Sequence, residues 1–147
     1  MQNGPITLYR RAEHLEADER ELRDRGFDVR SFDCRAWTSE DALHDALRAG
    51  LEMPDYNGHN FDALADSLSE VEVADASGLF LTLDNLTDAP RHDVLLNVLA
   101  DASRWWLLFG RIFGVLARTD DTQYSPPPVG ATRPHWNGRE LLDESPS

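Results

Sequence analysis

The chain has 147 residues, 41% of them hydrophobic, and a formal net charge of −13. That is enough apolar residue for one core, and the negative balance argues against a nucleic-acid backbone as partner while suiting a basic protein. All fourteen basic residues are arginine, and the single cysteine, Cys34, offers no disulfide framework.

Residues 10–25, RRAEHLEADERELRDR, are charged and helix-favouring, with Leu15 and Leu22 as a thin apolar seam and Gly26 as a stop signal. The region 1–26 is therefore read as an N-terminal helical extension that covers the rest. FDVRSFD, residues 27–33, predicts a first strand, and Cys34 at its end reads as a structural residue. In TSEDALHDALRAGL, Thr38 or Ser39 is the N-cap, acids fill the first turn, and Leu43, Ala46 and Leu47 recur at helical spacing. On that pattern His44 falls on a polar face, as do His14 and His92.

Pro54 ends this region, because the residue before a proline is pushed out of the helical basin. A loop containing Gly58 leads to Asn60, an N-cap for a helix from Phe61 to about Val71. GLFLTLDN predicts a second strand of the doubly covered type. RHDVLLNVLADASRWWLLFG predicts a long helix with Leu95, Val98, Leu99, Ala102 and Trp106 inward and Gly110 past its end. RIFGVLA predicts a third strand. Strands separated by helices pair in parallel through right-handed crossovers. The expected fold is thus a small α/β domain over residues 27–118, with a three-stranded parallel sheet flanked by helices.

From Thr119 the chain carries a triple proline and no sustained period, so residues 119–147 read as a tail, with Trp136 as its candidate anchor. The longest apolar run, WWLLFGRIFGVLA, is too short to span a bilayer, and no signal-peptide pattern opens the chain. A cytoplasmic location is expected, with no membrane partner.

The stretch MPDYNGHNFDALADSL, Met53 to Leu68, carries the functional signal. Phe61, Leu64, Leu68 and Val71 make one core-facing stripe. Asp62 and Asp66 then share the outer face, where carboxylates four apart repel by about 0.2–0.5 kcal/mol. Between Arg48 and Arg91 lie nine acids and no arginine or lysine. A one-signed field of this kind is complementary to a cationic surface. It is also what a merely solvated face of an acidic protein looks like, and spacing alone does not separate the two. A paired-carboxylate hydrolase needs acids facing each other across a cleft, which neighbours on one turn do not supply. His59, Asp62 and Asp66 have metal-ligand chemistry, but nothing in the sequence sets a geometry or supporting contacts, and neither a cofactor nor a catalytic residue is assigned.

At these residues the sequence resembles the barstar family, intracellular inhibitors of microbial guanyl-specific ribonucleases. The family pattern is a Pro-acid-Tyr-Tyr-Gly-x-Asn loop followed by a helix of the form hydrophobic-Asp-Ala-Leu-x-Asp-x-Leu. Here it stands as Pro54-Asp55-Tyr56-Asn57-Gly58-His59-Asn60 and then Phe61 to Leu68. The resemblance implies a non-enzymatic, monomeric inhibitor that binds a basic microbial ribonuclease one to one, without cofactor or metal. It implies that Asp66 enters the nuclease pocket, that Asp62 is a second contact, and that Tyr56 packs on the nuclease with Asn57 where a second tyrosine is common. Gly58 and Asn60 look like scaffold of that surface, and Asp101 falls where a peripheral glutamate is presented. Ala65 departs from the pattern by replacing a tryptophan, Val71 stands at another tryptophan position, and His59 replaces an acid. These departures point either to a different basic nuclease or to a module of the same fold with a non-nuclease partner.

Overall fold

The computed structural model of the chain describes residues 5–53, 60–73, 77–121, 123–124 and 135–137. Nine α-helices and β-strands occur among them: β1 (Ile6–Tyr9), α1 (Ala12–Asp24), β2 (Asp28–Asp33), α2 (Glu40–Gly50), α3 (Phe61–Leu68), β3 (Gly78–Asp84), α4 (His92–Leu108), β4 (Ile112–Arg118) and β5 (His135–Trp136). The expected parallel sheet flanked by helices is present, but it is larger than three strands. Four full strands and the two-residue β5 run in the order β2-β3-β4-β1-β5, all parallel. The four-residue run Ile6-Thr7-Leu8-Tyr9 is too short to announce itself beside the charged helix that follows, although each residue is a fair strand former. It is buried throughout, because β4 and β5 flank it and both sheet faces are covered.

Alternation along the strands separates two cores. Leu79, Leu81 and Leu83 of β3, with Phe113, Val115 and Ala117 of β4, face α2, α3 and α4. Phe80, Leu116 and Tyr9 point the other way, onto Leu15 and Leu22 of α1. Gly114 makes room on that second face, since a Cβ there would run into the Phe80 ring, which meets Phe27 edge-on at 5.2 Å. The helix 10–25 does cover the sheet.

The C-terminal segment is stitched back to the start of the chain. Asn137 donates its backbone N–H to the Leu8 carbonyl at 2.8 Å and its side-chain amide to Asp18 at 3.0 Å, while Tyr9 donates its hydroxyl to the same carboxylate oxygen. Arg10 lies over the Trp136 ring at 4.3 Å. Asp18, at 3% exposed, is thus a buried carboxylate that accepts hydrogen bonds from Tyr9 of β1 and from Asn137, the residue after β5. No helix of the described residues is long and apolar enough to cross a membrane.

A candidate binding face on the third helix

Helix α3 is short, and its ends are secured by neighbours instead of by length. Asn60 caps the start, its Oδ1 accepting from the Ala63 N–H at 2.8 Å. At the other end the Ser69 hydroxyl donates to the Asp66 carbonyl and the Trp106 indole Nε1 donates to the Leu68 carbonyl at 3.0 Å. Arg111 then donates to the Val71 carbonyl at 2.8 Å while stacking 3.9 Å from the Trp106 ring. These donors satisfy carbonyls that a helix end leaves open, in a last turn that holds no basic residue.

Phe61, Leu64, Leu68 and Val71 are all buried as their spacing predicted, but the helix ends at Leu68 and not near Val71, which packs into the core from the segment that follows. His44 is buried with them. Its ring meets Phe61 at 5.1 Å, so the expectation that His44 lies on a polar face is wrong. It follows Leu43 by one residue and precedes Leu47 by three, which sets it at the edge of their stripe, and the arrival of Phe61 widens the buried arc to include it. His92 also takes up contacts, meeting the Tyr124 ring edge-on at 5.7 Å.

With one side of α3 locked inward, Asp62, Ala65 and Asp66 face solvent. Neither carboxylate takes an ion pair from a described residue. Arg91 sits 5.4 Å over the Phe61 ring at the start of the helix and pairs with Glu40 at 3.4 Å. Asp66 opens onto a groove of about 300 Å³ between α3 and α4. Ala65, Val98 and Ala102 line it, Ser69 and Asp101 share its rim with Asp66, and Trp105 forms one wall. Asp101 is already paired with Arg104 of its own helix at 2.7 Å. The fold therefore unites Asp66 and Asp101 at one groove and leaves Asp62 a turn away, at the start of the helix. Tyr56, Asn57, Gly58 and His59 lie outside the described residues. Among the described residues no three His, Cys, Asp or Glu side chains gather as metal ligands. Sequence reasoning takes Trp105 and Trp106 together as core and rim packing, and only Trp106 is buried; the signal for Trp105 was an apolar run, Trp105 to Phe109, longer than one buried stripe can absorb.

Comparison with known families gives the fold a lineage. The family model described as Barstar (barnase inhibitor) matches residues 27–118. The chain belongs to the barstar family. The barstar match takes in β2, β3, β4 and helices α2 to α4, hence the whole of the acidic face and its groove, while β1, α1 and β5 lie beyond it. No curated protein matches the chain. A chain in the structure of Drosophila ORC bound to AT-rich DNA and Cdc6 is similar at a TM-score of 0.51 and 20% identity, over 81% of this chain and 41% of that chain. At that identity the likeness is one of fold, and this chain spans less than half of its neighbour.

Proposed function

We propose that this barstar-family chain is a ribonuclease inhibitor that plugs the active site of a basic microbial ribonuclease with the outer face of α3. The observation that carries the reading is that Asp62 and Asp66 are exposed, without ion pairs from described residues, on a helix whose opposite side is buried and tied at both ends. Such a helix presents its carboxylates without first having to order them, which lowers the entropic cost of binding. A pocket that holds RNA phosphates carries arginine, lysine or histidine, and arginine pairs strongly with carboxylate oxygens. Carboxylates set where phosphates would lie exclude the substrate by occupancy, so the inhibitor needs no cofactor and performs no chemistry. The chain's charge of −13 favours encounter with a cationic nuclease, an advantage that falls with salt.

The test is titration of a guanyl-specific bacterial ribonuclease with the purified chain, following cleavage of a fluorogenic RNA. Stoichiometric, salt-sensitive inhibition is expected, with Asp66→Ala weaker by on the order of thirtyfold or more. Equal inhibition by the Asp66→Ala chain removes the acidic plug. No inhibition by the parent chain points to a barstar-fold module with a non-nuclease partner.

A further inference from the structure

Helix α4 carries two adjacent tryptophans with opposite fates. Trp106 is 1% exposed and Trp105 is 47% exposed. Consecutive helical residues are turned by about 100°, so one indole enters the core while the other stands over the α3–α4 groove. Phe109, one turn on, steadies the outer ring at a centroid distance of 5.1 Å. Just before it, at the last position of α4, Leu108 is 78% exposed. Large apolar side chains held outward together on a chain of mean hydropathy −0.50 call for a partner. Helix α3 offers none of its own: Ala65 stands beside Asp66, and the small side chains of Ala65 and Ala102 keep the groove open.

The chemistry of the groove selects its occupant. Its lining brings the half-exposed Trp105 together with Asp66 and Asp101. Since Asp101 is engaged by Arg104, Asp66 is the rim charge left for a visitor. A cationic head on an apolar stem matches both surfaces. Arginine does so best, because a planar guanidinium stacks on an indole while pairing with a carboxylate, which a compact, strongly hydrated ammonium does less well.

We infer that the partner-binding surface continues from α3 across this groove onto α4, and that Trp105 is its aromatic anchor, receiving an arginine side chain of a basic partner protein with its head toward Asp66. The inference rests on the reading of α3 as the nuclease-facing helix and adds to it a residue of another helix and the side chain it takes.

The experiment measures binding of the full chain to a guanyl-specific bacterial ribonuclease by titration calorimetry, for the parent, Trp105→Ala, Trp105→Phe and Asp66→Ala. Trp105→Ala is expected to weaken binding by roughly thirtyfold or more, as truncation of an interface anchor does, with Trp105→Phe retaining most of the affinity and the thermal midpoint of either little changed. A loss in Trp105→Ala and Asp66→Ala alike supports the continuous surface. A loss in Asp66→Ala with unchanged affinity in Trp105→Ala overturns the anchor and leaves the acidic plug standing. The reverse pattern keeps Trp105 as an anchor but overturns the plug and with it the arginine directed at Asp66, and no binding by the parent chain overturns both. Arginine-to-alanine variants of the nuclease then test the occupant through double-mutant cycles with Trp105→Ala: coupling to one arginine is expected, and coupling to none refutes the arginine assignment.

Discussion

The Trp106 indole donates to the Leu68 carbonyl at 3.0 Å, which ties the last turn of the acidic helix to the long helix beside it. Trp106→Phe keeps most of the buried area and deletes the donor. The expected cost is about 1–3 kcal/mol, read from the urea midpoint. Amide exchange should rise at residues 69–71 before it rises in β3, since the bond holds the end of α3 and not the sheet. Uniform acceleration across both elements would show that the tie has no local role.

The clamp of Asn137 on Asp18 links residues 119 positions apart. Removing the amide leaves a buried carboxylate short of a donor, at an expected cost of about 1–3 kcal/mol for Asn137→Ala. Because the two groups share one interaction, Asp18→Ala and Asn137→Ala are expected to be non-additive in denaturation. Additive losses would mean that the Asn137–Asp18 bond itself contributes nothing to stability.

Two carboxylates make stability fall in acid. Arg30 grips Asp28 through two hydrogen bonds, at 2.7 and 2.8 Å, and holds its carboxyl below the usual range. The Arg35 side chain, the Asn85 side chain and the Arg35 backbone N–H hold Asp33 well below it. A carboxyl whose folded value is depressed stabilises the fold above its unfolded value, near 3.9, and loses that contribution as pH drops through the folded one. Full stability is therefore expected above about pH 5, declining steadily below about pH 4. Asp28→Asn should flatten this slope more than Asp33→Asn does, since the Asp28 pair is half-buried while Arg35 and Asp33 are open to solvent. Chemical denaturation of the three chains from pH 6 to pH 2 measures it.

Cys34 is fully buried, and burial, with the nearby Asp33, Asp84 and Asp88 charges, pushes its thiol up to about 12. A thiol reagent at pH 8 is expected to react on the order of a thousandfold more slowly with the native chain than with the chain in guanidinium. Equal rates would show that the end of β2 opens readily.

Much of this molecule is legible in short-range periodicity. The spacing of Phe61, Leu64 and Leu68 both defines a helix and turns Asp62 and Asp66 outward, and the apolar runs at residues 78–84 and 112–118 declare buried strands. These are properties of a few consecutive residues, so a sequence carries them openly. The tertiary structure alone decided the rest. Ile6–Tyr9 and His135–Trp136 are strands because they pair with each other beside β4, and neither segment contains that partner. His44 is buried because Phe61 packs against it from another helix. The groove exists because α3 sets Asp66 against Asp101 and Trp105 of α4, residues more than thirty positions along the chain. Periodicity assigns a side chain to the inside or outside of its own element; which distant surface then meets it is set by the packing of elements against one another, and no local pattern encodes that.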